Sequence, residues 1–361
     1  MKFFNLDLHI SVIADMRTIF NNLGHQVDDW TLSGHAWAFG RERDKVDVID
    51  HTNWKNLDQD MCDAFYERYK DELDHYDGFI CTYAPSFCLL FEKFKKPIIT
   101  IAPIRYEAPF WDDVEKWNWY NDFLRSGIDS GLVIPVANNK FDKQYCEMYT
   151  GKEWKHIPSL CEYTNAPYNP KYNNVVYSSL LPIDVVGYDN LIIPKSQALP
   201  QGYDWKDLSQ FKGIVHIPYC PSTMSIFENY TSNIPMFFPS YVFMMKLRSV
   251  YGNRGVLNQM SWREVNNLAP GSIIEFDDKD GTISDLNNYG NISDEKEWIK
   301  LSDFYDKEWM PYIQYFNSFD ELKYMVRSID TNEVSKNMSN FNKIRKEKVY
   351  NSWKEILSNI S

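Results

Sequence analysis

The stretch Lys212 to Ser240, KGIVHIPYCPSTMSIFENYTSNIPMFFPS, constrains the rest of the chain more than any other. It opens with the apolar run Gly213 to Ile217, bounded by Gly and Pro, which predicts a buried strand of a parallel sheet. Pro218 and Pro221 then force a loop, because prolines so spaced fit neither a strand nor a helix interior. Ser222, Thr223 and Ser225 are good N-cap residues ahead of a short helix, MSIFENYTS. Ile234 to Phe238 predicts the next buried strand, which Pro239 closes. Such a strand–loop–helix–strand unit puts its loop and helix N-terminus at the carboxyl edge of an open α/β sheet, where ligands bind.

A helix N-terminus offers backbone N–H groups and a positive dipole end, so it can hold a phosphate without any lysine. Glu228 follows in the second turn and can accept two hydrogen bonds from a vicinal diol such as a ribose. Phosphate and diol recognition from one helix is what a nucleotide diphosphate requires. The run Glu228-x4-Asn233-Ile234-Pro235 resembles the E-x4-G-I-P signature of nucleotide-sugar glycosyltransferases of the GT-B fold, which has two Rossmann-like domains. The resemblance implies that Glu228 binds the ribose and that Ser222, Thr223 and Ser225 face the diphosphate. Asn233 stands where the family has Gly, and Asn tolerates the left-handed backbone such a turn needs. Many retaining members carry a second Glu upstream; Cys220 and Pro221 occupy that region here, so the stereochemistry stays open.

At 361 residues the chain is long enough for two cores, and 44% hydrophobic and 16% aromatic residues describe a folded protein. The many aromatic rings suit stacking on sugars, and equally suit cores and interfaces. A formal charge of −12 argues against a nucleic-acid backbone or an anionic membrane surface as partner. A small anion stays compatible, since one helix N-terminus and one or two cations suffice locally. The six cysteines form no C-x-x-C pair, and buried free thiols in a reducing compartment are expected. The opening MKFFNLDLHISVIADM lacks the features of a signal peptide, and no apolar run reaches the roughly 18 residues of a membrane span. A cytoplasmic protein follows, in which the acceptor tripeptides at Asn229, Asn291 and Asn337 are fortuitous.

Strands and helices alternate along the chain, which predicts a doubly wound parallel sheet. Expected strands are Phe3 to Val12, Gln26 to Leu32, Val46 to Ile49, Phe79 to Thr82, Pro97 to Ala102 and Leu132 to Val136. Expected helices between them are Ala14 to Leu23, Met61 to Leu73, Phe87 to Phe94, Trp111 to Ser126 and Lys140 to Tyr149. A Pro/Asn-rich linker from Asn165 to Tyr172 precedes strands at Val175 to Leu180 and Asn190 to Pro194, and a helix at Trp205 to Phe211. After Ser240 the pattern gives helices Val242 to Tyr251 and Trp262 to Leu268 and a polar insertion from Asp277 to Glu295. It closes with a strand at Ile313 to Phe316, a helix Phe319 to Ile329 capped by Ser318, and a long helix Val334 to Ile360. The expected fold is therefore α/β with two Rossmann-like domains. Residues 1–167 would hold an acceptor and 168–335 a nucleotide sugar, while the GT-B resemblance implies that 336–361 crosses back onto the first domain.

In that arrangement the acceptor lies on loops after the strands of the first domain. His9, with Asp15 one turn into the helix, follows the first strand, and His35 the second. Tyr83, then Arg105 and Glu107, then Asn138 follow later ones. An inverting transferase needs a general base near the acceptor hydroxyl, for which His9 and His35 come first and Glu107 and Asp15 second. A histidine so placed is as often a structural hydrogen-bonder. Arg105, Tyr83 and Asn138 are candidate acceptor contacts. A retaining enzyme would instead need cations over the leaving diphosphate, where Lys195 and Arg254 fit. His216 and Tyr219 flank the central loop and suit the base or the diphosphate; a core histidine is the equal alternative for His216. Asp278-Lys279-Asp280 has the spacing of a D-x-D metal motif but reads as a charged turn, so no metal and no cofactor are expected. The function implied is metal-independent transfer of a sugar from a nucleotide-diphosphate donor to a glycan or glycoprotein acceptor. A nucleotide-sugar epimerase of the same fold and a non-catalytic carbohydrate-binding protein are the alternatives.

Overall fold

The computed structural model describes residues 1–103, 106–110, 113–187, 189–259 and 298–360. These divide into two compact units, residues 1–159 with 350–360 and residues 160–259 with 298–349.

The first unit contains β1 (Lys2–Asp7), β2 (Gln26–Thr31), β3 (Gly78–Cys81), β4 (Ile98–Ala102), β5 (Val133–Ala137) and β6 (Lys155–His156). They pair in parallel in the order β2-β1-β3-β4-β5-β6. Helices α1 (Ile10–Asn22), α2 (Gln59–Leu73), α3 (Val114–Asp129) and α4 (Lys140–Thr150) connect them. Every residue of β3 and β4 is buried, as expected of strands covered on both faces.

The second unit contains β7 (Tyr172–Ser179), β8 (Ile192–Pro194), β9 (Phe211–Ile217), β10 (Met236–Pro239) and β11 (Gln314–Phe316), parallel in the order β11-β10-β9-β7-β8. Its helices are α5 (Lys195–Ala198), α6 (Trp205–Leu208), α7 (Met224–Thr231), α8 (Tyr241–Tyr251), α9 (Phe319–Ser328) and α10 (Thr331–Ser358). Counted along the chain, each sheet places its second strand outside the first and the remainder on the other side. The strand order therefore reverses once in each, between β1 and β3 and between β7 and β9, and a crevice opens there at the carboxyl edge.

Several expected elements are corrected. The first strand ends at Asp7 and α1 starts at Ile10, because the Leu8 amide turns to the Tyr83 carbonyl (2.6 Å) and the Asp7 carboxylate accepts the His9 amide (3.1 Å). Val46 to Ile49 is no strand: Val48 has φ +75°, Asp47 donates its amide to the Tyr69 hydroxyl (2.7 Å), and Asn53 donates to the Val48 carbonyl (2.8 Å). Pro85–Phe94 is a 3₁₀ rather than an α-helix. Phe211 belongs to β9, and the helix before it ends at Leu208. The linker segment is sewn onto the second unit by amides of Tyr168, Asn169 and Lys171 reaching carbonyls of Ser232, Ser209 and Gln210. The helix expected at 262–268, the insertion at 277–295 with its D-x-D spacing, Arg105 and the start of the helix expected at Trp111 lie outside the described residues.

All six cysteines are buried, and none is in a disulfide. Among the described residues no helix is long and apolar enough to cross a membrane.

Candidate functional site

The carboxyl edge of the second sheet is built by the stretch that organises the sequence. β9 runs directly behind β10; a side chain at Gly213 would sit 2.7 Å from the Pro235 carbonyl, so only glycine lets the two strands close up. The Pro218 to Pro221 loop follows, braced by the Leu257 amide on the Pro218 carbonyl (2.9 Å) and the Gln259 amide on the Tyr219 carbonyl (3.0 Å). Thr223 then occupies the N-cap of α7, but its hydroxyl pairs with Ser225 (2.9 Å) instead of capping the helix. Ser222 is buried, Thr223 half-buried and Ser225 exposed, so the three hydroxyls are not equivalent. Asn233 ends the helix with φ +58°, the left-handed turn for which Asn can replace Gly.

Glu228 lies on α7, half-buried, and its carboxylate accepts the Tyr163 hydroxyl at 2.6 Å and the Trp205 side chain. The two rings meet edge-to-face at 5.4 Å. Burial raises the Glu228 pKa, while the two hydrogen bonds and the charge of Lys195 pull it down. Lys195, the first residue of α5, is half-buried with its ammonium 4.6 Å from the Tyr203 ring. Lys195 and Tyr203 line a cavity of about 600 Å³ at the ends of β7 and β8, together with Tyr177, Ser179, Ser196 and Gln201. His216 belongs to the core: it stacks on Phe238 (5.2 Å, 18°) and its Nε2 meets the Asn229 amide at 3.1 Å. Burial, aided by Lys195, pushes its pKa down to about 3, so the ring is neutral and accepts the Asn229 hydrogen bond. The structure therefore brings His216 and Glu228 each within electrostatic reach of Lys195. Arg254 is exposed, next to Gly255, which packs on Leu180 after β7; Tyr219 is 37% exposed.

The carboxyl edge of the first sheet gathers titratable groups. His9 is the N-cap residue of α1, an exposed residue whose ring lies 6.3 Å from that of Tyr83. Its crowded surroundings lower its pKa, with a smaller contribution from His35, which is also exposed. Beneath them lies Asp7, fully buried, which the sequence reading passed over as part of a strand. One oxygen accepts the His9 amide and the carboxylate also accepts from Thr31; Oδ1 is buried without a hydrogen-bond partner among the described residues. Burial raises its pKa to about 7 against the opposing pull of those bonds, Arg41 and Arg17.

The other first-unit candidates are placed differently. Asp15 is fully buried within α1. Glu107 is also fully buried, and its charge adds to burial in raising the pKa values of Tyr145 and Tyr149. Neither carboxylate faces an open loop. Asn138 is buried and donates to Ser159 (3.2 Å) while accepting from Asn139 (2.8 Å). Asn139 also holds Asp142 (2.6 Å), a second buried carboxyl with its pKa raised by burial to about 7. Tyr163, Trp205, Tyr203, Asp7 and Asp142 were all missed in the sequence; the one available signal was Asp7 two residues before His9 at a strand end.

Among the described residues no three of His, Cys, Asp or Glu converge as a metal's ligands would. No protein-family model and no curated relative matches the chain. Among solved structures it is similar to the glycotransferase of kitacinnamycin, with 10% identity over 99% of this chain and 98% of that one, and a TM-score of 0.47. It is also similar to CalG4, the calicheamicin glycosyltransferase (10% identity, 100% and 98% coverage, TM-score 0.44), and to the spinosyn forosaminyltransferase SpnP (10%, 84% and 95%, 0.38).

Proposed function

We propose that this chain is a glycosyltransferase that moves a sugar from a nucleotide-diphosphate donor, held by the second unit, to a glycan or glycoconjugate acceptor on the first. The observation that carries the reading is Glu228. It sits on the helix that follows the loop at the reversal of strand order, in an E-x4-N-I-P run, and two side-chain donors fix its carboxylate. A carboxylate so fixed presents its remaining lone pairs in one direction, which is what bidentate binding of a ribose diol needs. The Thr223 and Ser225 hydroxyls and the start of α7 serve the diphosphate, and Lys195 adds a point charge beside it. Transfer with inversion then uses His9 as general base. Its lowered pKa keeps it neutral near pH 7, the form that can accept the acceptor hydroxyl's proton. His35 and Tyr83 lie beside it as acceptor contacts. The donor is bound without a metal in this reading, and the work is done in the cytoplasm.

The test is thermal stability against a panel of nucleoside diphosphates and nucleotide sugars, with and without Mn²⁺. One base should stabilise the protein metal-independently, by about 2.7 kcal/mol at 100 times its Kd. Glu228→Ala should abolish that gain while the far-UV spectrum is unchanged. No response of the wild type to any nucleotide would overturn the reading, and a response only with Mn²⁺ would overturn its metal-independence.

A further inference from the structure

His9 and His35 stand on different loops of the first unit, and one buried hydrogen-bond chain joins their backbones. Asp7 and Thr31 are register partners at the ends of β1 and β2. The Asp7 carboxylate accepts the His9 amide (3.1 Å) and the Thr31 hydroxyl. The Thr31 oxygen in turn accepts the Ser33 amide (3.2 Å), and the Ser33 hydroxyl accepts the amide of His35 (3.1 Å). A hydroxyl has one donor and spare lone pairs, so Thr31 can serve both neighbours at once. Each bond from a side chain to the amide two residues on is a local turn. The Thr31–Asp7 bond joins those turns into a single frame across two strands. Asp7, Thr31 and Ser33 are all buried, where a lost bond strands a polar group away from water.

The charged neighbours are engaged elsewhere. Arg17 of α1 and Arg41 of the second loop both pair with Asp29, and Arg41 also holds Asp44 (3.0 Å). They act on Asp7 through their charge, while Thr31 and the His9 amide hold it directly. At the outer end of the frame His35 is near enough to help depress the pKa of His9.

We infer that Asp7 is a positioning residue of the transfer reaction: through Thr31 and Ser33 its carboxyl group fixes His9 relative to His35 at the acceptor edge. This rests on the reading of His9 as general base. A base acts only within hydrogen-bond reach of its proton, and a small misplacement costs much of the rate.

The experiment is an NMR titration of the His9 ring in the histidine-labelled full chain, beside steady-state kinetics with the nucleotide sugar that stabilises the protein most. Asp7→Ala should lower kcat about tenfold and leave donor Kd unchanged. It should also move the His9 pKa up towards its ordinary value, since a loosened ring gains water and distance from His35. Asp7→Asn, which keeps an oxygen for the His9 amide, should recover most of the loss. Thr31→Val cuts the frame without touching Asp7 and carries the test by itself if Asp7→Ala does not fold. It should shift His9 the same way, lower kcat about threefold and add nothing to Asp7→Ala. An unmoved His9 titration in either variant, or effects of the two that add, would overturn the inference. A downward shift in Asp7→Ala would overturn it too, marking the loss of an anion's charge rather than of a frame. The NMR arm needs no substrate: a titration that moves as expected while His9→Ala keeps full turnover would sink the base reading and leave the frame standing.

Discussion

At the carboxyl edge of the first sheet burial raises the pKa values of Asp7 and Asp142 to about 7 and lowers that of His9. At the same edge of the second sheet the corresponding groups are held by neighbouring side chains, with the His216 pKa pushed down and that of Glu228 raised by burial. His216 is held at about 3, in contact with Asn229 and Phe238, and Glu228 is gripped by Tyr163 and Trp205. The strand orders are alike, so topology supplies the crevice in both and the side chains alone decide what each crevice does. A proton can be exchanged cheaply at the first edge. The second offers fixed charges and hydroxyls, which suit holding an anion through a reaction without trading protons with it.

The largest effect that would break this contrast is on turnover. His9→Ala should lower kcat by about 100-fold or more and leave donor affinity unchanged, measured by steady-state kinetics with the donor found in the nucleotide panel. The acid limb of the wild-type profile should lie below pH 6.5, since activity appears as His9 loses its proton and its pKa is depressed. Loss on His35→Ala with none on His9→Ala would move the base to the second loop.

Next is the pH dependence of stability. Asp142 has a raised folded pKa, so the native state holds its proton more tightly than the unfolded chain. Stability is therefore favoured below about pH 4 and falls as pH rises to about 7, by at most about 1.4 kcal/mol per pH unit from this group. Asp142→Asn keeps an oxygen for Asn139 and should flatten that slope in urea unfolding measured from pH 4 to 8. An unchanged slope would mean that Asp142 is ionised throughout.

Smaller again is Tyr163→Phe, which removes one of the two donors to Glu228. The nucleotide Kd should rise about fivefold, with kcat preserved, by calorimetric titration and kinetics. An effect on kcat alone would assign Tyr163 to something other than positioning Glu228. The smallest is His216→Phe. It keeps a ring against Phe238, leaves the Asn229 amide without its acceptor, and should cost about 1 kcal/mol. Its pH–activity profile should match the wild type between pH 5 and 8; a displaced limb would show that His216 titrates after all.

What the sequence disclosed follows from what is local in it. The buried strands β3, β4, β5, β9 and β10 are continuous apolar runs, and each lies within two residues of its expected place. The Ser318 cap and the left-handed Asn233 were visible because capping is a property of single residues. Val46 to Ile49 misled because a short apolar run resembles a strand, and the bonds that bend it come from Tyr69 and Asn53. Glu228 was legible as a candidate, but Tyr163 and Trp205 were not. The first stands 65 residues away in sequence, and no periodicity links it to the motif. The protonation of Asp7 was hidden for the same reason, since it depends on burial by neighbours rather than on the residue itself.

The far end of α7 is held by α10. Asn342 donates to the Tyr230 carbonyl (2.9 Å) and to the Asn233 side chain (2.8 Å). Arg345, almost fully buried, reaches the Thr231 hydroxyl (3.0 Å) from beside the Tyr230 ring. Biosynthesis runs from the amino end, so the stretch carrying Glu228 leaves the ribosome more than 100 residues ahead of the groups that fasten it. For that interval α7 exists as sequence without the contacts that α10 supplies. Any ligand that needs α7 in place, as the proposed nucleotide does, can then protect the protein only once α10 has been made.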